Sequence, residues 1–491
     1  MTHKPLRILF VTPECAPFAK VGGLADVVGA LPKVLRRLGH DARIVLPLYG
    51  SIDRAALGVR PDGSACVHMG GGVEQWIGVQ RARLEDEVPV WLVDYGAYFG
   101  RPGIYGDGLG EYGDNAYRFA LLCKAAMQLC KDSGFIPDVM HLHDWPAAPA
   151  AALLKTWDLF DSPLERTASV LTIHNIGHQG KYGADAYAYL GIGDEHFGVF
   201  EDYGRINLLK GGVRFADAIT TVSPTHLAEI RSSEGAHGLA PFLEARGDDL
   251  FGVLNGVDYE HWDPANDPYL PARFGPDDLS GKAVCKRTLQ QALDLEQRVD
   301  RPLYGMITRL VLQKGIDLLR DTLPGLLRRL PLQLVVLGTG EPEYEAFFRW
   351  LAGAYPGQVG CHIGYSEELA HLIEGGSDFF LMPSLYEPCG LNQIYSMKYG
   401  TLPVVRATGG LQDTVEDHRP GGLGTGFKFH APTPQALADV VARATRTWLE
   451  QPDEIGALRG RAMSRRFTWE RAAREYLKVY ARARDRRASW R

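Results

Sequence analysis

The sequence lacks the features of proteins that span membranes or bind nucleic acids. Its formal net charge is −6, whereas nucleic-acid-binding domains carry a strongly basic surface. Its longest apolar stretch, residues 146–154, is far shorter than the ~20 residues that a membrane-spanning helix needs. The chain also runs from Lys4-Pro5 directly into the strand-like residues 6–11, without the pattern of a signal peptide. We therefore expect neither a nucleic-acid nor a membrane partner.

Cysteine is scarce and scattered, which argues against a disulfide framework. Seven cysteines occur in 491 residues, none of them in a CxxC pair, and several lie inside apolar runs. Reduced thiols of this kind are typical of cytoplasmic proteins, so we expect a cytoplasmic location. An apolar content of 45% with 23% charged residues is ordinary for a soluble enzyme.

Short apolar runs alternate regularly with longer amphipathic segments, which indicates βαβ units and parallel sheets. In the first half, strands are predicted at residues 6–12, 42–47, 138–142, 169–173 and 218–222, with helices at 24–38, 115–131, 146–156 and 224–230. Residues 64–94 are predicted to form short antiparallel strands inserted into this pattern. In the second half, strands are predicted at 303–308, 332–337, 359–363, 379–383 and 402–405, with helices between them.

The length and the alternation together predict two doubly wound, Rossmann-like α/β domains, because one domain usually has ~100–200 residues. We expect the first domain at residues 1–251 and the second at 252–466, with the tight turn at Asn255-Gly256 near the boundary. A final helix is predicted within 467–491, since its apolar residues recur at helical spacing.

The motif EPCGL at residues 387–391 is the most informative part of the sequence. It follows the apolar run 378–383, which is typical of a buried parallel strand, and Gly390-Leu391 precede a segment with helical periodicity. Glu387 therefore lies at the carboxyl end of a strand beside a helix N-terminus, where open α/β sheets bind their ligands. The local pattern alone leaves a helix-capping role for Glu387 equally open.

Two motifs in the first half also follow predicted strands. In the motif KVGGL, Gly22 and Gly23 let a backbone approach a ligand, and Lys20 adds a positive charge, which suits a diphosphate. A βα turn that uses the glycines for geometry alone is the alternative. The alternating histidines of HLHDW, residues 141–145, raise the question of a metal site, but the HxHxDH pattern of metallohydrolases is not met. His174 ends the next strand, where a single histidine is usually structural.

Three motifs of the second half fall at predicted strand ends. Arg309 and Lys314 lie five residues apart across a predicted loop, where a guanidinium fork and a point charge can converge on phosphate oxygens; loop charges without a ligand are the alternative. Tyr365 presents an aromatic ring that can stack on a base. The third motif, Thr408, Gly409 and Gly410, repeats the glycine-rich design at a strand-to-helix turn, with backbone amides available to a phosphate.

These motifs resemble, in order and spacing, the signatures of the glycogen and starch synthases, a family of nucleotide-sugar glycosyltransferases. The motif at residues 20–28 with Glu14 before it resembles the N-terminal signature, and EPCGL resembles the C-terminal acidic motif. Two departures occur: Asn392 stands where the family commonly has Thr, and residues 176–179 differ from the commoner sequence. They leave the reaction class intact and put donor preference in question.

The resemblance implies a GT-B fold, with two Rossmann-like domains facing a deep cleft and the last helix crossing back to the first domain. It implies transfer of glucose from ADP-glucose to the non-reducing end of an α-1,4-glucan such as glycogen, with retention of configuration. No cofactor is expected besides the donor substrate, and no metal, because no DxD motif lies at a strand end of the second domain. The oligomeric state is left open.

The resemblance also assigns roles to single residues. Glu387 would hold sugar hydroxyls, Arg309 and Lys314 the diphosphate, Asp144 would border the glucose site and acceptor path, and His174 would contact the donor glucose. The ligand-binding residues implied are Lys20, Gly22, Gly23, Asn255, Tyr365, Cys389, Gly390, Leu391, Thr408, Gly409 and Gly410.

Other functions fit the same architecture. A related GT-B transferase could use UDP-glucose or make a sucrose-type product, and a phosphorylase would need a lysine-linked pyridoxal phosphate. A non-catalytic glucan-binding protein on the same scaffold is a further alternative, although the intact set of motif residues argues against loss of activity.

Overall fold

The computed structural model describes residues 4–107, 110–160 and 162–489. Contacts within the chain divide it into two compact units: one runs to Gly256 and includes the last helix from Trp469, and the other is Val257–Thr468. Each is an α/β unit with a largely parallel sheet. None of the helices in the described part of the chain is long and apolar enough to cross a lipid bilayer.

The strands of the first unit are β1 (Arg7–Val11), β2 (Asp41–Pro47), β3 (Arg60–His68), β4 (Glu74–Leu84), β5 (Val88–Asp94), β6 (Gly106–Asp107), β7 (Gly110–Glu111), β8 (Val139–His143), β9 (Ala168–Ile173), β10 (Lys181–Gly183), β11 (Glu201–Asp202), β12 (Arg205–Asn207), β13 (Ala218–Thr221) and β14 (Leu250–Gly252). Nine of these strands form the main sheet, in the order β14-β13-β9-β8-β1-β2-β5-β4-β3. The helices of this unit are α1 (Gly23–Arg37), α2 (Gly96–Phe99), α3 (Asn115–Ser133), α4 (Asp144–Ala147), α5 (Pro149–Thr156), α6 (Tyr187–Leu190), α7 (Phe197–Phe200), α8 (Leu208–Phe215), α9 (Pro224–Arg231) and α10 (Ala240–Glu244).

The central strands of this sheet are buried along their whole length. Every residue of β8, β9 and β13 is buried, as expected for parallel strands that helices cover on both faces. This burial explains why the five strands predicted for this half are confirmed to within a residue at each end. The continuous apolar runs on which the prediction rests are the signature of such strands.

The structure differs from the prediction at two places in this unit. Residues 64–94 do not form a short insertion: β3 and β4 are long antiparallel strands, and β5 pairs in parallel with β2, so all three extend the main sheet. The helix predicted at 146–156 is two helices, because Pro149 has no amide hydrogen to continue α4 and begins α5 instead.

The second unit contains a six-stranded parallel sheet with the order β17-β16-β15-β18-β19-β20. Its strands are β15 (Leu303–Leu310), β16 (Gln333–Gly340), β17 (Val359–Ile363), β18 (Phe379–Met382), β19 (Leu402–Arg406) and β20 (Phe427–Phe429). Its helices are α11 (Ser280–Ala292), α12 (Ile316–Arg329), α13 (Pro342–Ala354), α14 (Glu367–Gly376), α15 (Asn392–Lys398), α16 (Gly409–Thr414), α17 (Pro434–Glu450) and α18 (Pro452–Ser464).

Strand β15 is longer than the predicted 303–308, which corrects the position of Arg309. Its pairing with β16 continues through Arg309 and Leu310, and Leu310 is fully buried. Arg309 therefore lies on the last residues of a strand and not in the loop that follows it. No strand was predicted at β20, because its three residues are too few to show a periodicity.

The final helix, α19 (Trp469–Ala488), packs in the first unit against β9 and α1. Its Tyr480 hydroxyl lies 2.9 Å from Nδ1 of His141, and the Arg487 guanidinium donates to the carbonyl oxygen of Leu154 at 2.8 Å. Both contacts are buried, so the helix forms part of the core of this unit. Residues 490–491 of the predicted segment lie outside the described residues.

A buried ion-pair cluster holds the start of β18. Asp378 is 6% exposed and accepts from Lys286 at 2.7 Å, from Arg459 at 2.6 Å and from the Leu303 amide at 2.9 Å. Burial by itself raises the pKa of this carboxyl, but the charges of Lys286 and Arg459 outweigh it and lower the pKa to about 2.

We predict that Asp378→Asn lowers the free energy of unfolding by about 3–5 kcal/mol at neutral pH, because the buried Lys286 and the largely buried Arg459 lose their counter-charge. The folded pKa of about 2 lies below the ~3.9 of an unfolded chain. The stabilisation is therefore present above about pH 4 and is lost as the pH falls toward about 2. Thermal unfolding followed over a pH series measures both effects.

Asp300→Asn is the matched control, because Asp300 forms an exposed ion pair with Arg298. Water screens such a pair, so its loss should change the melting temperature little. Equal melting temperatures for the two variants would contradict a stabilising role for the buried cluster.

Candidate active site

Three of the predicted motifs in the first unit meet at one edge of its sheet. Strands β1, β8 and β9 are parallel neighbours, so their carboxyl ends lie side by side. Gly23 begins α1 after the first of these strands, Asp144 follows the second and His174 follows the third. The order of strands in the sheet thus brings together side chains that lie far apart in the sequence.

His174 is held by hydrogen bonds to Asp144 and to His143. The backbone amide of His174 donates to Oδ1 of Asp144 at 2.7 Å, and Nε2 of His174 lies 2.9 Å from Nδ1 of His143. Asp144 has a φ of 56°, a left-handed conformation that is uncommon for residues other than glycine and is often found at functional sites. The strand ends therefore hold His174 from two sides.

Desolvation keeps both of these groups neutral over much of the pH range. Burial raises the pKa of Asp144 to about 7, although the amides of His174 and Asn175 lower it and only partly offset the burial. Burial also lowers the pKa of His174 to about 3. His174 is therefore a neutral imidazole near pH 7, which can hydrogen-bond to a substrate but carries no charge.

His141 has a structural role. Its Nδ1 pairs with the Tyr480 hydroxyl, and its Nε2 lies 2.7 Å from Oγ1 of Thr172. Both ring nitrogens are thus engaged by protein groups. His141 therefore has no ring nitrogen left to serve as a metal ligand.

Glu14 makes hydrogen bonds that the sequence motif did not indicate. Its Oε2 accepts from the backbone amides of Val21 and Gly22 at 2.6 and 3.0 Å, and its Oε1 accepts from the Tyr105 hydroxyl at 2.7 Å. The Gly22 amide, which was expected to serve a phosphate, therefore donates to a carboxylate of the protein. A phosphate at these amides would have to displace Glu14. Lys20 makes an exposed ion pair with Asp26 at 2.7 Å.

In the second unit, Lys314 and Glu387 form a close ion pair. Nζ of Lys314 lies 2.6 Å from Oε2 of Glu387, which also accepts from the Ser384 hydroxyl at 2.9 Å. The carboxylate is thus held by side chains, and α15 begins without a side-chain cap. These contacts favour the ligand-site interpretation of Glu387 over the helix-cap alternative.

Two hydrogen bonds of Gln313 explain why the Lys314–Glu387 pair forms. Lys314 ends a short 3-10 helix, and the neighbouring Gln313 carbonyl oxygen accepts from the Leu385 amide at 2.8 Å. The Gln313 side chain donates to the Tyr386 carbonyl oxygen at 3.2 Å. The turn after β15 is therefore tied to the loop after β18. Ser384 and Gln313 were not predicted from the sequence, because nothing in their local pattern indicates these contacts.

The glycine-rich motif after β19 packs against the EPCGL turn. A Cβ atom at Gly409 would lie 2.0 Å from the Glu387 carbonyl oxygen, and one at Gly410 would lie 2.0 Å from that of Cys389. The Gly410 amide donates to the Glu387 carbonyl oxygen at 3.0 Å. These glycines thus permit a close backbone approach, and the Gly410 amide serves the protein itself. Gly390 has a φ of 70° in the turn, and Leu391 is the residue before α15.

Several predicted ligand residues are presented to solvent. Arg309 is exposed and makes no side-chain hydrogen bond or ion pair with any residue that the structure describes, and Tyr365 is 81% exposed.

Asn255 is buried in the first unit, and its Oδ1 has no hydrogen-bond partner among the described residues. The departure Asn392 has a structural use, since its Nδ2 donates to the Ile307 carbonyl oxygen at 2.9 Å.

Comparison with known proteins identifies the family. Residues 7–245 match the family model described as the starch synthase catalytic domain, and residues 291–457 match that of glycosyl transferases group 1. Glycogen synthase 1 of Geobacter sulfurreducens is 47% identical over 97% of this chain and 96% of its own length. The glycogen synthase of Treponema denticola is 45% identical over 99% of this chain and its whole length. The chain belongs to the glycogen synthase family.

Solved structures agree with this assignment. The catalytic domain of starch synthase IV from Arabidopsis thaliana, bound to ADP and acarbose, has a TM-score of 0.89 and 33% identity, and the match covers 98% of this chain and 100% of that one. A sucrose-phosphate synthase from Thermosynechococcus elongatus has a TM-score of 0.60 at 17% identity, covers 97% of this chain and 98% of that chain, and shows the fold alone. The predicted GT-B class with two Rossmann-like domains is confirmed.

We predict that Asp144→Asn lowers turnover but stabilises the ligand-free protein at alkaline pH. The folded pKa of Asp144, about 7, lies above the ~3.9 of an unfolded chain, so its ionised form opposes folding. The gain from the variant should be full above about pH 7 and should fade as the pH falls toward about 4. Asparagine retains an acceptor for the His174 amide and tolerates the left-handed backbone.

Thermal unfolding of both proteins over a pH series, with parallel assays of activity, tests this prediction. Asp132→Asn is the control, because Asp132 lies at the exposed end of α3. A variant that is less stable than the parent protein at pH 8 would show that the Asp144 carboxylate is a net stabilising group.

Proposed function

We propose that the chain transfers glucose from ADP-glucose to the 4-hydroxyl at the non-reducing end of an α-1,4-glucan, with retention of configuration. The observation that carries the proposal is the Lys314–Glu387 pair at the carboxyl end of a parallel sheet, with the exposed Arg309 on the neighbouring strand. Support comes from full-length similarity to glycogen synthases. Further support is the likeness to a starch synthase that was solved with ADP.

In this proposal, the second unit binds the nucleotide sugar. Arg309 and Lys314 hold the diphosphate, Tyr365 stacks on the base, and the turn at Cys389, Gly390 and Leu391 with Thr408, Gly409 and Gly410 lines the same site. As the bond between C1 of glucose and the phosphate oxygen breaks, negative charge grows on the diphosphate. The two cations stabilise that charge most strongly in the transition state.

Glu387 holds hydroxyls of the donor sugar, and the reaction occurs on one face of it. Retaining hydrolases use two carboxylates about 5–5.5 Å apart, but the proposed site assigns no second carboxylate to the sugar. The acceptor 4-hydroxyl therefore attacks C1 from the face that the diphosphate leaves. Its proton passes to a departing phosphate oxygen, so the new glycosidic bond forms as the nucleoside diphosphate departs.

The first unit is proposed to bind the acceptor and to contact the transferred glucose. His174 hydrogen-bonds to the donor glucose as a neutral imidazole, Asp144 borders the acceptor path, and Lys20, Gly22, Gly23 and Asn255 contribute on the ligand side. We propose that the domain expected at residues 1–251 extends to Gly256 and is the acceptor and catalytic domain, that Val257–Thr468 is the nucleotide-sugar domain, and that the last helix completes the first domain.

The proposed reaction needs no metal, because Arg309 and Lys314 supply the positive charge that a cation supplies in other transferases. The direct test of the function is glucan-primed release of nucleoside diphosphate with ADP-glucose and, in parallel, with UDP-glucose. Faster release from UDP-glucose would replace the donor in this proposal. Release from neither, together with glucan binding, would favour the non-catalytic alternative.

We predict that Glu387→Gln lowers turnover with ADP-glucose by roughly 10²–10³-fold, the usual loss when one preorganised electrostatic contact is removed. Glutamine keeps the size of the side chain and one acceptor but removes the charge that fixes Lys314. Ser384→Ala is the graded control, because it removes one hydrogen bond to the same carboxylate and should reduce turnover much less. Steady-state kinetics measure both, and near-normal turnover of Glu387→Gln would exclude the assigned role.

We predict that Arg309→Ala reduces turnover far more than affinity for ADP. Arg309 has no protein partner among the described residues, so its removal leaves the folded protein undisturbed, and the charge it meets grows only during bond breaking. Arg287→Ala, at an exposed arginine of α11, is the control. Calorimetry with ADP and assays at saturating ADP-glucose separate the two effects; a variant that loses ADP binding but keeps its turnover would contradict the role.

A further inference from the structure

A second cluster of ionisable groups lies in the second unit. His261 comes from the segment that opens this unit, whereas Glu367 and His371 lie one turn apart on α14. One potential ligand atom from each residue lies within 4.8 Å of those of the other two. Nε2 of His261 is 3.2 Å from Oε1 of Glu367, and both side chains are about half exposed.

His371 has a ring nitrogen without a partner. Its Nδ1 lies 2.7 Å from Oδ2 of Asp267, and the side chain is fully buried. Nε2 is also buried and has no hydrogen-bond partner among the described residues. Buried polar atoms are nearly always paired, so such an atom calls for an explanation. Because Asp267 engages Nδ1, Nε2 is the atom that this ring can offer to a ligand.

The ring of His371 is also fixed in orientation. The Trp262 ring stacks on it with centroids 3.8 Å apart and an angle of 5°, and the Tyr395 ring stacks on Trp262 at 4.3 Å. Asp267 holds the opposite nitrogen and accepts from the Tyr399 hydroxyl at 2.5 Å. A histidine whose far nitrogen is held by a carboxylate is the usual arrangement of a metal-bound imidazole.

We propose that His261, Glu367 and His371 bind one divalent transition-metal ion of the zinc type. Two imidazoles and one carboxylate suit zinc, which takes four ligands and can complete its shell with water. Imidazole nitrogen is a poor ligand for magnesium or calcium, which prefer oxygen.

The ion would act as a structural cross-link. It would join His261, at the start of the second unit, to α14, which lies about a hundred residues later in the sequence. None of the three ligands belongs to the residues proposed for glucose transfer. The inference therefore stands apart from the proposed function and from the expectation that the reaction itself needs no metal.

The structure offers an internal control for this site. Cys66, His68 and Glu74 also bring one potential ligand atom each to within 4.8 Å. In that cluster the histidine and the glutamate are exposed, as His261 and Glu367 are, but it has no counterpart to the buried, unpartnered nitrogen of His371. If zinc bound at this control cluster instead, substitutions in this cluster would reduce zinc binding, and substitution of His261 would not.

The experiment uses the full-length protein after dialysis against a chelator. Zinc is added back, bound zinc is measured by elemental analysis after gel filtration, and the melting temperature is recorded with and without zinc. Cobalt is used as a spectroscopic substitute, because tetrahedral histidine ligation gives visible absorption. The variants are His261→Ala, Glu367→Gln and the control His68→Ala.

We expect one zinc ion per chain, a higher melting temperature with zinc, and the same binding in His68→Ala. His261→Ala and Glu367→Gln should each weaken zinc binding by at least about 10-fold, since even outer-shell changes cost that much, and should lose the thermal shift. Both altered side chains are partly exposed, so both variants should fold. Absence of bound zinc in the parent protein, or unchanged binding in both variants, would overturn the proposal.

Discussion

The cost of taking charge out of water is the constraint on which the rest of this structure depends. The strands that lead to Asp144, His174 and Glu387 are wholly or almost wholly buried, so an ionisable group that is buried at their ends must be paired or neutral. At Asp378 two cations keep the carboxylate charged, and they fix the start of β18. The same strand ends in the loop that carries Glu387, so the charged cluster anchors the strand that leads to that loop.

The two units meet this constraint in opposite ways. In the first, desolvation prevails: the pKa of Asp144 is raised to about 7 and that of His174 is lowered to about 3. In the second, Lys314 and the buried Glu387 compensate each other's charge at 2.6 Å. Neutral groups suit hydrogen bonds to sugar hydroxyls, whereas Lys314 and the exposed Arg309 offer positive charge to a diphosphate, with Glu387 assigned to the donor sugar. The proposed division between acceptor and donor domains follows from this difference in electrostatics.

The sequence predicted what is local and periodic, and it missed what depends on contacts between distant segments. Buried strands gave continuous apolar runs, so the central strands and the residues at their ends were identified. Strand β20 was not predicted, because three residues are too few to show a periodicity. The break in the helix before Pro149 was not predicted either, because a single missing amide does not change the periodicity of the apolar residues. The contact of Ser384 with Glu387 likewise left no sequence pattern, since the tertiary fold alone creates it.

The glycine-rich motifs show most clearly why a motif does not define a site. Both were interpreted as sources of free amides, yet the amides of Val21 and Gly22 hold Glu14, and the Gly410 amide holds the Glu387 carbonyl oxygen. Burial raises the pKa of Glu14, although the hydrogen bonds from these amides and from Tyr105 lower it, so the ionised carboxylate is held there at a cost in desolvation. One set of amides cannot serve two anions at once. A phosphate that binds there must therefore replace an anion that the protein itself supplies, and its affinity is reduced by the strength of those two hydrogen bonds.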